Sequence, residues 1–96
     1  MGVRVTLNCQ VKPGHFKSLL PFLEENLPNV RGFHGNMRVK VLFDEENSEM
    51  LLDEEWLSVE DHKAYIGFIS KNGILDALGE FLCAPPEIKY FKPVEI

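Results

Sequence analysis

The chain has 96 residues, 45% of them hydrophobic and 26% charged, with a formal net charge of −5 and two cysteines. That length holds one domain, residues 1–96; its apolar share is too high for a disordered segment, and its apolar runs are too short to span a membrane. Net acidity with scattered Lys and Arg excludes a generic nucleic-acid binder, and Cys9 and Cys83 lack metal-ligand spacing and read as reduced thiols.

The first run, Val3 to Val11, alternates apolar and polar residues, the period-2 signature of a half-buried strand. No charged leader with an apolar stretch precedes it, so a cytoplasmic protein is expected. Lys12-Pro13-Gly14 ends the strand. From His15 to Leu27 the residues Phe16, Leu19, Leu20, Phe22, Leu23 and Leu27 follow helical spacing, with Lys17, Glu24 and Glu25 outward. Pro21 should kink this helix, and Leu27-Pro28-Asn29 should close it, because a residue before proline avoids the α region.

Arg31-Gly32-Phe33 leads into a second strand with Phe33, Gly35, Met37, Val39, Val41 and Phe43 on one face. His34, Asn36, Arg38, Lys40 and Leu42 take the other. The acidic segment Asp44 to Ser48 reads as a hairpin loop, followed by a third strand from Met50 to Leu57. Here Met50, Leu52, Glu54 and Trp56 share a side. Ser58 is a good N-cap, with Asp61 three residues on, for a helix over Val59 to Ile69. Asn72-Gly73 bends the chain as a natural hinge, a helical stripe continues from Ile74 to Cys83, and Ile88 to Phe91 forms the last strand. The order is βαββαβ, an α+β ferredoxin-like arrangement with a four-stranded antiparallel sheet covered by helices on one face.

Arg4, Thr6, Asn8, Gln10, His34, Asn36, Arg38, Lys40, Asp53 and Glu55 would then point away from the helices. Such a face is either solvated or packed on a second copy. A chain this short buries only roughly 60–68% of its unfolded surface, which favours a homodimer through that sheet face.

Phosphate loops, G-x-S-x-G, H-E-x-x-H and Cys-x-x-Cys are all absent. The informative segment runs from Asp53 to Tyr65, where a strand ends in the only Trp and a capped helix follows. With the Lys12-Pro13-Gly14 turn, Arg31-Gly32-Phe33 and the E-x-W-x-S junction at Glu54 to Ser58, the chain resembles the antibiotic biosynthesis monooxygenase family of dimeric α+β barrels from Val3 to Phe91. The resemblance implies a cofactor-independent monooxygenase acting with O2 on a small aromatic or polycyclic phenol-type substrate, without metal. Other branches of the family degrade haem or process signals. Trp56 matches the family's Trp at the end of strand 3, and Glu54 the acidic residue two before it. Tyr65 stands where many members place a His. His62 stands where the aromatic oxygenases carry a Tyr, and Leu52 where they hold an Asn. Asn8 is offset by one residue from the Asn of the haem-degrading branch and lies on the polar face, so haem is not expected.

Each of these residues has a structural reading beside the chemical one. Trp56 packs the core, or walls a pocket and donates a hydrogen bond. Glu54 on an apolar face is a paired structural acid, or a general base whose pKa desolvation has raised. His62 and Tyr65, three residues apart on one helical face, could both point at Glu54, although a surface His62 serves equally well. Catalytic roles are therefore expected at Trp56, His62, Glu54 and Tyr65. Cys9, Phe22, Met37, Leu52, Phe68 and Ile69 are expected to line a pocket for a small-molecule ligand. The alternatives are a non-catalytic dimeric small-molecule-binding or stress-response module, and a proton-transfer enzyme on a small carbonyl metabolite.

Overall fold

Alternation along the strands sets which side chains share the core. In the computed structural model, which describes residues 2–96, β1 (Val3–Gln10) buries Val3, Val5, Leu7 and Cys9 and turns the residues between them outward. β3 (Glu49–Trp56) lies antiparallel beside it and buries Met50, Leu52, Glu54 and Trp56 in the same layer. β2 (Asn36–Asp44) pairs with the far side of β3, and β4 (Glu87–Phe91) with the far side of β1. The order across the sheet is β2-β3-β1-β4, all antiparallel, with ferredoxin-like connections. Among the described residues, no helix is long and apolar enough to cross a membrane.

Three helices complete the fold. α1 (Phe16–Arg31) buries Leu19, Leu23 and Val30 and continues past Leu27, where proline was expected to close it. Pro28 forgoes one backbone donor, but the last turn is held by burial of Val30 and by Arg31 Nη2, which donates to the Val39 carbonyl at 3.2 Å. α2 (Val59–Lys71) starts where expected, with Ser58 Oγ accepting from the Asp61 amide at 3.1 Å. Its buried face carries His62, Tyr65 and Ile69. Gly73, at φ +84, turns the chain into α3 (Ile74–Gly79).

The helical stripe expected to reach Cys83 stops at Gly79. The backbone of the next residues is captured by the end of β1 instead: Lys12 donates to the Phe81 carbonyl at 2.9 Å and Cys83 to the Gln10 carbonyl at 2.8 Å. The second strand also starts later than expected, at Asn36. Gly35, at φ +93, precedes it, and a Cβ there would stand 2.5 Å from the Asp61 side chain. A bulge between Asn36 and Arg38 then shifts the phase, pairing Asn36 with Trp56 and Arg38 with Glu55. Asn36 thereby leaves the polar face it was expected to join. Its Nδ2 is buried without a hydrogen-bond partner among the described residues.

Candidate functional site

The helices cover only the inner face of the sheet, and an apolar pocket lies in that layer. It is a cavity of about 50 Å3. Leu7 of β1 and Leu52 and Glu54 of β3 line its sheet side. Phe22, Leu23, Asn26, Leu27 and Val30 of α1 line another wall, and His62, Tyr65, Ile66 and Ile69 of α2 with Ile74, Leu75 and Leu78 of α3 close it. No Lys or Arg contributes to this lining. Its polar groups are a carboxyl, an imidazole, a phenol and an amide.

Glu54 has the least ordinary environment. Its Oε1 accepts the Trp56 indole N–H at 2.8 Å, and His62 Nε2 stands 3.8 Å from the same oxygen, too far for a hydrogen bond. Burial pushes the carboxyl up to about 7, aided by the negative charge of Asp53 and opposed by the indole donor. Burial alone pushes His62 down to about 4. The Tyr65 phenol rises to about 12 through burial and the charge of Glu54. Near neutral pH the cavity thus holds a neutral imidazole and a carboxyl close to its own midpoint, the poise a general acid–base needs.

Aromatic packing fixes these groups. The Trp56 ring meets His62 edge-on at 5.2 Å between centroids and lies 5.6 Å from Tyr65, while Phe33 packs on both Trp56 and Tyr65. His62 is fully buried, which removes the surface reading of this residue. Its Nδ1 lies 2.9 Å from the Tyr90 hydroxyl, and its Nε2 has no hydrogen-bond partner among the described residues. No group of three or more His, Cys, Asp or Glu side chains among the described residues is placed to hold a metal ion.

No family model matches the chain, and no curated protein matches it in sequence. Solved structures match along its whole length. Rv0793 from Mycobacterium tuberculosis superposes with a TM-score of 0.81 at 18% identity, over 100% of this chain and 98% of that one. A protein of Bordetella bronchiseptica, provisionally named an antibiotic biosynthesis monooxygenase, gives 0.85 at 17%, covering 98% of each chain. The Streptomyces coelicolor monooxygenase from ActVA-Orf6, solved in complex with nanaomycin D, gives 0.79 at 15%, over 99% of this chain and 89% of that one. The fold is that of the antibiotic biosynthesis monooxygenases.

Within this antibiotic biosynthesis monooxygenase fold the expected site residues divide into two groups. Glu54, His62, Tyr65, Phe22, Leu52 and Ile69 all line the cavity. Trp56, Cys9, Met37 and Phe68 do not. Trp56 lies fully buried behind Glu54, where its indole holds the carboxyl and forms no wall. Cys9 is buried elsewhere on the inner face, its thiol pushed up to about 12 by burial, which makes it inert. Met37 is 53% exposed because the bulge swings it off the inner face. Phe68 is also 53% exposed, resting against Phe33 on the outer flank of α2.

Two residues of the cavity and its surroundings were missed. Asn26 lines the cavity, although its side of α1 carries no sequence signal for a site. Tyr90 sits in a short strand with no motif around it, yet alternation with Ile88 places it on the inner face.

Proposed function

We propose that this protein is a cofactor-independent monooxygenase acting on a neutral, small aromatic phenol. The observation that carries this reading is a buried carboxyl near its midpoint at neutral pH, facing an apolar cavity beside an imidazole nitrogen that has no hydrogen-bond partner among the described residues. Without a cation in the lining, a carboxylate or phosphate substrate has no counter-charge and would face Glu54. A neutral phenol has no such conflict. The resemblance of the junction from Glu54 to Ser58 and the complex of the Streptomyces coelicolor relative with nanaomycin D support the same class.

The chemistry requires nothing beyond substrate and O2. Ionised Glu54 removes a proton from the phenol or its carbon tautomer, and the resulting anion passes its electrons to O2, forming a C–O bond. The peroxide takes the proton back from Glu54 and loses water. Substrate gives up two hydrogens and gains one oxygen atom as a carbonyl, and the second oxygen leaves as water. His62 and Tyr65 face the oxygen on which charge develops, and the apolar walls keep competing water out.

Cavity size sharpens the substrate. About 50 Å3 is well below the ~300 Å3 at which ligand pockets usually begin, so the helices must part to admit a ligand. A single ring demands less displacement than a tricyclic anthrone. Incubation with each under 18O2 tests the proposal: one labelled oxygen should enter the carbonyl product at a rate above the blank, and Glu54→Gln should abolish it. Product no faster than the blank with both substrates rejects it.

The same small cavity favours a second reading, proton transfer on a small carbonyl metabolite by Glu54. Exchange of substrate C–H for deuterium under argon, with no oxygen consumed, would select it. We further propose that the outer sheet face pairs with a second copy; light scattering should give twice 11.0 kDa, and a particle of 11.0 kDa at micromolar concentration rejects the dimer.

A further inference from the structure

The register of the sheet places three residues in one row. Val5 of β1 pairs with Glu54 of β3 on one side and with Tyr90 of β4 on the other, and all three face the helices. Two strand spacings separate the outer members, about 10 Å. Val5, fully buried and short, leaves the space between them open to the helix layer, and the His62 ring occupies it. One ring nitrogen, Nε2, faces Glu54 Oε1 at 3.8 Å, while the other, Nδ1, meets the Tyr90 hydroxyl at 2.9 Å. The two rings stand edge to face, 5.4 Å apart at 73°, which leaves Nδ1 free to point at the hydroxyl.

We propose that Tyr90 is a positioning residue: its O–H donates to His62 Nδ1 and thereby holds His62 in the tautomer that presents Nε2–H to the cavity beside Glu54. A neutral imidazole carries one N–H and one lone pair, and the partner of one nitrogen decides the role of the other. Between a phenol and an imidazole, the phenol is the more acidic donor and the ring nitrogen the better acceptor. The arrangement with O–H donating to Nδ1 is therefore the stronger one. Nε2–H is left as a buried donor with no partner among the described residues, beside a carboxyl that can accept a proton. Cavity and donor together fit a ligand oxygen that gains negative charge as Glu54 takes its proton. In this part the inference rests on the proposed oxygenase reading; the tautomer itself does not.

Long-range 1H–15N correlation spectra of the labelled full chain at pH 7 test the tautomer directly. His15 and His34 are exposed, and a His62→Gln spectrum identifies the third signal set. In the wild type, His62 should carry its proton on Nε2, with Nδ1 unprotonated and hydrogen-bonded. Tyr90→Phe keeps the ring and removes only the hydroxyl. It should leave the backbone amide spectrum in place while moving the Nδ1 signal or mixing the tautomers. A wild-type proton on Nδ1, or a Tyr90→Phe spectrum with the His62 signals unchanged, overturns the proposal. The wild-type tautomer decides the donor direction even if the variant folds poorly.

Turnover supplies a second readout. Tyr90→Phe should lower kcat about tenfold with KM within about twofold, the loss expected for one oriented hydrogen bond felt mainly in the transition state. If the tautomer is as stated and the wild type performs no oxygenation, the positioning stands and the oxygenase reading falls. If kcat falls while the His62 signals stay fixed, positioning through the tautomer is wrong.

Discussion

Asp53 and Glu54 follow one another in β3 and face opposite sides of the sheet. Their exposures are close, 9% and 3%, but different influences dominate: burial under the helix layer for Glu54, and a hydrogen bond from a cation for Asp53. Asp53 accepts from Arg4 Nε at 2.6 Å and Arg4 Nη2 at 2.9 Å and has Arg38 Nη2 at 3.5 Å, and the Arg4 hydrogen bond holds its carboxyl below the usual range. Glu54 has a neutral indole donor and a neutral imidazole, and its carboxyl rises. Two cations at Asp53 and none in the cavity lining beside Glu54 turn adjacent carboxylates into a structural anchor and a poised acid–base. The oxygenase reading depends on that asymmetry.

The largest effect should come from exchanging the carboxyls for amides. Glu54→Gln retains an oxygen for the Trp56 indole and loses only the titrating proton. Oxygenation should fall about 10²- to 10⁴-fold, the usual contribution of a general base. Asp53→Asn should leave kcat within about threefold, since an effect transmitted through packing alone is small. Steady-state rates of the two variants settle the point, and equal losses would erase the contrast between the faces.

Removing the support of Glu54 comes next. Trp56→Ala deletes a fully buried ring and strips Glu54 Oε1 of its donor. A loss of about 3–5 kcal/mol is expected from the ring, read as a fall in the urea midpoint. The unpaired carboxyl should also titrate higher than in the wild type. A shift below about 1 kcal/mol would mean that the inner layer collapses around the gap.

Close behind is a pH effect that the wild type hides. Glu54 goes from an ordinary 4.5 to about 7 on folding, so its contribution to stability is present below 4.5 and is lost as pH rises towards 7. His62 goes from 6.5 to about 4, so its contribution is present above 6.5 and is lost as pH falls through 4. Between these limits the unfolded pair holds one proton on the imidazole, and the folded pair holds one on the carboxyl. The proton numbers match, and the two slopes cancel. Glu54→Gln removes the Glu54 contribution, so stability relative to wild type should rise by roughly 3 kcal/mol from pH 4.5 to 7. His62→Gln should produce the opposite tilt relative to wild type from pH 4 to 6.5. Urea titrations at half-unit pH steps check both signs.

Much of this contrast was legible in the sequence. Alternation placed Glu54 and Trp56 inward and Asp53 outward, and Ser58 fixed the start of α2, because both signals act over a few residues. What escaped depends on partners distant in the chain. The bulge that expels Met37 exists only through pairing with β3, and the capture of Phe81 to Cys83 only through the end of β1. Pro28 stays helical because Val30 and Arg31 find partners on the sheet side. Tyr90 gains its meaning only when the register sets it, Val5 and Glu54 in a row. Local patterns thus identified the carboxyl and the imidazole of the site, and strand pairing supplied the hydroxyl that orients them.

The smallest effect should come from the outer face. Arg4→Ala removes the bidentate partner of Asp53, yet the Arg4 side chain is 54% exposed and Arg38 remains beside the carboxylate, itself also near Glu55 Oε1 at 3.7 Å. Exposed ion pairs contribute little because water screens both charges and two long side chains must be held in place. The urea midpoint should move barely beyond error at low salt, and the difference from wild type should vanish near 1 M NaCl, where screening acts within about 3 Å. Because the lowered Asp53 titration depends on Arg4 first, its carboxyl should move back towards 3.8, and acid unfolding should begin at a slightly higher pH. The Glu54→Gln loss of turnover should not respond to salt at all, since no ion pair with a cation supports that site. A midpoint shift for Arg4→Ala as large as that for Trp56→Ala, persisting in salt, would mean that Asp53 is screened no better than Glu54. Solvent access would then no longer distinguish the two faces, and the unequal count of cations alone would have to account for everything that separates these neighbours.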